Sequence, residues 1–521
     1  MTSRARKKTT SVLLLGLLGL AILCAPSPSD AQLDAARRAQ ALISGLDYDE
    51  ARRVLADADP DAPPVALERA RLALYELDCD DAATLVARPE VQKLPGGEAL
   101  TDVVRGCQRV TAALVGDTDE ARGIEVRWQD EHDRTLAPLL FETVARARET
   151  LTRDLGVDWP LPTRVVVVRD LLSLSAMTGL PYKSAQTTGT VAVAKWGRVT
   201  LLSPRASPHG YPWRDTVAHE LTHLAVTRAS RDLAPLWLQE GVAKREEVRW
   251  RDPGPFDDRP SPEAIARRGG ELGLGLPLDK LGPSIAMLPS ADAAMVAFAE
   301  VTSFVRYYAD SQGPGALRKL LDQLRAGAEP SDALTAASGK DLQVWDKDWR
   351  TYLAGRPREP LPAFFGLGEE PGSDKEQREI RDRSRLAVLL LAREHPAEAL
   401  TELAHLAPPR TGEPGDPSLR WLQARALEAA GHGPEARKAV GDPPDVVSPY
   451  GPWWAIRGRL ARQVGDEAAA GGSFAEAVAV DPLDPEAACE TVIPTDLPSE
   501  AAKARLCEAA RASGSPELGG D

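Results

Sequence analysis

Two kinds of hydrophobic pattern alternate along this chain. Residues 32–115 are rich in Ala, Leu and Arg, with apolar positions every three or four residues and few β-branched side chains. That spacing predicts amphipathic helices. The middle of the chain changes character. A long amphipathic helix is expected over 135–155, and Arg164-Val165-Val166-Val167-Val168 then reads as a buried strand. Thr190–Ala194 and Val199–Leu202 flank Lys195-Trp196-Gly197-Arg198, the pattern of a hairpin. A Pro/Gly-rich stretch at 252–290 precedes helices expected at 292–310, 314–326 and 341–353. Beyond a second Pro/Gly-rich linker, residues 380–515 return to helical spacing.

The helical flanks carry an internal echo. Leu46-Asp47-Tyr48-Asp49-Glu50-Ala51 recurs 31 residues later as Leu77-Asp78-Cys79-Asp80-Asp81-Ala82. In the C-terminal part Ala399, Ala436 and Ala468 each follow a turn and open a helix, 37 and 32 residues apart. Such periods predict stacked helical hairpins, and the pattern resembles tetratricopeptide repeats in degenerate form. Trp453-Trp454 reads as packing between such hairpins, with a binding patch as the alternative.

The N-terminus stands apart. Arg4, Arg6, Lys7 and Lys8 precede the apolar run Val12–Cys24, which is short for a membrane span and suited to a signal-peptide core. Residues 1–31 are read as a signal peptide cleaved after Ala31. Retention as an anchor and lipidation of Cys24 stay open as alternatives. The expected location is therefore the periplasm or the exterior, with membrane contact only if that segment is kept or lipidated. Export makes room for two local disulfides among the remaining cysteines, Cys79 with Cys107 and Cys489 with Cys507. Reduced thiols remain the alternative. A formal charge of -14 gives no footprint for nucleic acid.

One stretch carries chemistry: AHELTHLAVTRASRDLAPLWLQEGVAKREE, residues 218–247. His219 and His223 stand four apart, so on a helix both imidazoles share one face and can hold a single ion. Glu220 beside them suits a general base for an ion-activated water. Glu240 opens onto the same site if residues 227–234 form a turn between two antiparallel helices. Two His and one Glu leave one tetrahedral position for water, the arrangement of a catalytic zinc site.

HELTH followed by PLWLQEGVA resembles the gluzincin zinc metallopeptidases, in particular the peptidase MA-like group of exported bacterial proteins. The resemblance covers about residues 125–354. It implies an α+β, thermolysin-like domain with a small sheet, and His219, His223 and Glu240 as Zn2+ ligands. It also implies Glu220 as general base and proton donor, and Tyr307 or Tyr308 as the donor to an oxyanion. The expected organisation is then a helical repeat-like segment at 32–120, the peptidase domain at 121–354, a linker at 355–379 and tetratricopeptide-like helices at 380–515. Two positions depart from the family. Lys244 stands where thermolysin-like members place an acidic residue behind a histidine, with Glu246, Glu247 and Asp215 as possible substitutes. The strand Gly189–Val193 lacks the glutamate with which aminopeptidases hold a substrate amine, which favours an endopeptidase. The expected partners are a peptide or protein substrate and a protein held on the repeats. The alternative is an inactive peptidase-like scaffold whose repeats do the binding.

Overall fold

Five short strands form one mixed sheet in the order β1-β2-β3-β5-β4. They are β1 Val115–Asp119, β2 Ile124–Trp128, β3 Thr163–Val168, β4 Ala192–Lys195 and β5 Arg198–Leu202. The central strands β2, β3 and β5 run parallel, and the edges β1 and β4 are antiparallel to their neighbours. The rest is mostly helical, so the architecture is α+β. The computed structural model describes residues 28–207, 210–282, 284–359, 361, 367, 374–406, 415–443, 450–491 and 499–513. The apolar run Val12–Cys24 lies outside them. Among the described residues no helix is long and apolar enough to cross a membrane.

The strands β1 and β2 are additions to the sequence expectation. β1 is polar and contains Gly116, so it carries no apolar run. β2 alternates buried and half-buried residues over five positions only, too few to separate a strand from a helix turn. The hairpin β4–β5 turns on Trp196 and Gly197, both with positive φ (55° and 69°), as a two-residue turn between right-twisted strands requires.

Both faces of the sheet are covered. Val165, Val167, Val199 and Leu201 pack with the helices Ala137–Leu155 and Trp213–Ser230. On the other face Val166, Val168 and Leu202 share a core with Leu74, Val104, Cys107 and Met177. The N-terminal helices are therefore a layer of the central unit, and the expected boundary near residue 120 divides the chain without dividing the core. The disulfide Cys79–Cys107 ties two helices of this layer, and Cys489–Cys507 ties the last two helices of the chain. Both accord with an oxidising compartment.

Five helical hairpins share one turn. Leu46, Leu77, Glu394, Gly431 and Gly465 all adopt positive φ. In each, the next residue donates its backbone N–H to the carbonyl five positions earlier: Asp47 to Leu42, Asp78 to Ala73, His395 to Leu390, His432 to Leu427 and Asp466 to Ala461, at 2.8–3.1 Å. This is the left-handed helix stop that satisfies orphan carbonyls. Five residues after each positive-φ residue stands a fully buried alanine: Ala51, Ala82, Ala399, Ala436 and Ala470. The third C-terminal alanine is thus Ala470, and Ala468 is exposed. The sequence spacing of 32 misses by two, because an Ala-rich helix start (EAAAGG) offers several alanines and only packing selects one.

The C-terminal hairpins dock on the central unit. Phe256 meets Trp454 and Trp453 edge-on, with centroids 5.6 and 6.2 Å apart. The Tyr211 N–H donates to the Val480 carbonyl at 3.0 Å. Gly210 (φ 68°) permits this approach, since a Cβ there would strike the Val480 backbone. Trp453 and Trp454 are buried and serve packing. Ala470→Leu is expected to destabilise the C-terminal unit by about 1–3 kcal/mol by overpacking. Ala468→Leu should change stability by less than about 0.5 kcal/mol. Urea midpoints of the two variants check the assignment.

Candidate metal centre

The helix Trp213–Ser230 carries HELTH. Its apolar positions Val217, Leu221, Leu224 and Ala225 are buried in the central core, which turns His219 and His223 together toward the next helix. The helix runs past the expected turn. The carbonyl of Thr227 still accepts from the N–H of Arg231 and Asp232, and both of those residues adopt positive φ. The turn is therefore 231–235, and Pro235 opens the helix Leu236–Glu246.

That second helix is positioned by its own buried face. Trp237 and Leu238 are buried, and Trp237 meets Phe304 edge-on with centroids 5.2 Å apart. Gly241 lies against Val301 and Val305 of the helix Ala291–Gln312. A Cβ on Gly241 would fall 2.6 Å from the Val301 carbonyl and collide with the Val305 side chain. The adjoining side of the helix carries Glu240, Lys244 and Glu247, four and three residues apart, in line along the helix.

The result is a triangle of donor atoms. His219 Nε2 and His223 Nε2 are 3.2 Å apart, and Glu240 Oε2 lies 3.6 and 3.5 Å from them. A tetrahedral zinc with ordinary bond lengths separates its donors by about 3.3–3.5 Å, so the three atoms fit one ion. Both Nδ1 atoms are occupied elsewhere: His219 Nδ1 pairs with Glu247 Oε2 at 3.0 Å, and His223 Nδ1 with Gln239 Oε1 at 3.3 Å. Each ring thus presents Nε2 to the triangle. Among the described residues this is the cluster of His, Cys, Asp or Glu suited to a metal ion.

The local field also favours a cation. Burial opposes charge on His219, but hydrogen bonds to Glu240 and Glu247 push the ring up to about 10. Burial likewise opposes the Glu240 carboxylate, yet His223 and His219 hold it well below the usual carboxylate range. Two buried carboxylates around these rings make a positive charge at the triangle favourable.

Glu220 is buried, and its Oε2 accepts from the Ala194 N–H of β4. The contact is possible because β4 is an edge strand. Ala192 and Ala194 face away from β5, while Val193 and Val191 face it, as the bond from Leu202 N–H to the Val191 carbonyl indicates. HELTH therefore puts its glutamate against the free rim of the sheet.

Of the three acids considered as substitutes for an acidic residue at 244, Glu247 reaches a histidine. Lys244 Nζ pairs with its other oxygen at 2.6 Å. Asp215 is committed to Arg251, at 2.7 and 2.8 Å, and to Trp250 Nε1. Glu246 pairs with Arg245 and Arg249. Tyr307 stacks on Tyr352 with centroids 4.9 Å apart, and Tyr308 is buried edge-on to Trp345. Among the described residues the buried Tyr308 hydroxyl has no hydrogen-bond partner. The sequence pattern does not single out Gln239. Its signal is its place beside Glu240, on the turn that faces His223.

No family model matches the chain, and no curated protein matches it.

Gly241→Ala is expected to push the WLQEG helix off its neighbour and cost about 1–3 kcal/mol. Gly270→Ala, in a helix where an added Cβ meets nothing, is expected to be neutral or to stabilise by up to about 1 kcal/mol. Chemical denaturation of both variants reads the difference.

Proposed function

We propose that this protein is an exported zinc metallopeptidase of gluzincin type, acting as an endopeptidase. The observation that carries the reading is the His219–His223–Glu240 triangle, with Glu220 beside it on the rim of the sheet. His219, His223 and Glu240 would hold the ion. A zinc bound there would acidify a water and polarise the carbonyl of a peptide bond.

The chain's own groups account for the remaining chemistry. Glu220 takes the proton from the attacking water and returns it to the leaving nitrogen. Its bond to Ala194 N–H fixes the carboxylate while one oxygen stays available. The outward backbone groups of Ala192 and the Ala194 carbonyl offer an extended peptide a strand to pair with, beside the proton-transfer group. Residues Gly189–Val193 carry no carboxylate to hold a free amine, which supports internal cleavage. Burial of the histidines and Glu240 to within 12–18% exposure limits bulk water at the site and strengthens each electrostatic contact. The repeats are proposed to hold the protein substrate or a partner.

Metal analysis of the purified chain beside Glu240→Ala tests the ligand set. About one zinc per chain is expected in the wild type, with a marked loss in the variant. Glu220→Gln should keep its zinc and lose about 100- to 10,000-fold in peptide-library turnover. Equal cleavage by Glu220→Gln and wild type would overturn the proposal.

A further inference from the structure

We propose that the turn Ile285–Met287 gates the cleft at the end where β4 begins, so that a bound chain runs past that end only when Ile285 leaves its seat. The inference rests on the peptidase reading above and adds to it a determinant of substrate length.

The metal triangle and Glu220 stand between two walls. One wall is β4 with the helix Tyr182–Thr188, which stops at Gly189 (φ 66°), just before the strand. The other is the WLQEG helix with the helix Ala291–Gln312 flush against it. The Pro/Gly-rich stretch ahead of that last helix joins the two walls. Its turn Leu278–Lys280 packs on the WLQEG helix. Its turn Ile285–Met287 packs on the helix Ala291–Gln312 and also on the helix Tyr182–Thr188. An extended peptide paired with β4 therefore meets this bridge at one end. A chain that stops short of the bridge fits with the turn in place. A chain cut at an internal bond extends beyond both ends of the cleft, so the turn must lift for it.

The stretch is held firmly at its ends and lightly at the bridge. Leu276 donates its N–H to Oε2 of the buried Glu300 at 3.1 Å. Gly275 lies so close to that carboxylate that a Cβ would fall 2.7 Å from Oε1. Leu278 and Leu281 are buried in the central core. On the far side Ser290 caps the helix Ala291–Gln312, accepting from the Ala293 N–H at 3.1 Å. Between these anchors Ile285 is the one buried residue among those described, while Gly282, Met287 and Pro289 are exposed. The facing helix Tyr182–Thr188 likewise buries a single residue, Ala185. The backbone bonds of the turn are local: Met287 N–H to the Ser284 carbonyl and Leu288 N–H to the Ile285 carbonyl, both at 3.1 Å. One apolar side chain thus seats the turn, and segments with so few buried contacts open at the lowest cost.

The test is kcat/KM of the zinc-loaded full chain on three fluorogenic peptides that share one cleaved sequence. The first has about six residues and spans about 20 Å when extended. The other two lengthen it to about twenty residues, one at the N-terminus and one at the C-terminus. The wild type is expected to cleave one of the long peptides poorly, the one whose tail meets the gate. Ile285→Ala, which removes the seated side chain, should raise kcat/KM on that peptide about 10-fold and leave the short one within about twofold. Met287→Ala, at an exposed position of the same turn, should match the wild type on all three. A change in Ile285→Ala that is equal for the three peptides would overturn the inference and leave the peptidase reading standing. If Ile285→Ala does not fold, Ile285→Val takes its place with an expected gain of about threefold, and an unchanged ratio of long to short overturns the gate. A zinc-loaded wild type that cleaves none of the three would overturn the peptidase reading, and the gate with it.

Discussion

The close contact of Gly241 with Val301 and Val305 governs the site. HELTH alone places two imidazoles on one helical face, but two donors do not make a three-ligand site. The third donor arrives only because the WLQEG helix lies flush against the helix Ala291–Gln312, a position a side chain at 241 would forbid. With that contact made, the turn at 231–235 fixes the rest. Glu240 closes the triangle, Gln239 reaches His223 and Glu247 reaches His219. Displacing this helix would move all three supports together.

The sheet supplies a rigid floor. Its central strands are buried on both faces, which suits the continuous apolar run Val165–Val168. The N-terminal helices cover one face and the HELTH helix the other. Arg198, fully buried on β5, binds the Leu74 carbonyl at 2.6 Å and the Trp196 carbonyl at 3.2 Å. It joins the N-terminal layer to the β4–β5 hairpin, and that hairpin carries the Ala194 N–H that meets Glu220. The N-terminal helices are thus mechanically connected to the edge strand of the site, although they contribute no group to it.

The same economy shapes the hairpins. A left-handed residue ends each first helix, and the chain reverses at once into the second. Helices this close need a small side chain where they cross, which is why alanine recurs at the fifth position after the turn. Three of the five left-handed residues are not glycine, so the turn is held by its backbone hydrogen bond and packing more than by local preference.

What was legible in the sequence was local. The spacing of His219 and His223, the glutamate between them, the helix carrying Glu240 and the β4–β5 hairpin all follow from patterns over a few residues. Those features depend on 3.6 residues per turn or on alternation, which the chain displays directly. Other features are set by which surfaces meet. β1 and β2 are too short and too polar to announce themselves. The N-terminal helices look like a separate repeat unit until their apolar faces are seen to cover Val166 and Val168. Ala468 and Ala470 are equivalent as letters, and only the crossing of two helices separates them. At the candidate metal centre, Asp215, Glu246 and Glu247 are interchangeable carboxylates in sequence. The angle and register of two antiparallel helices, decided by packing at Gly241, give His219 to Glu247 and leave the other two acids to arginines.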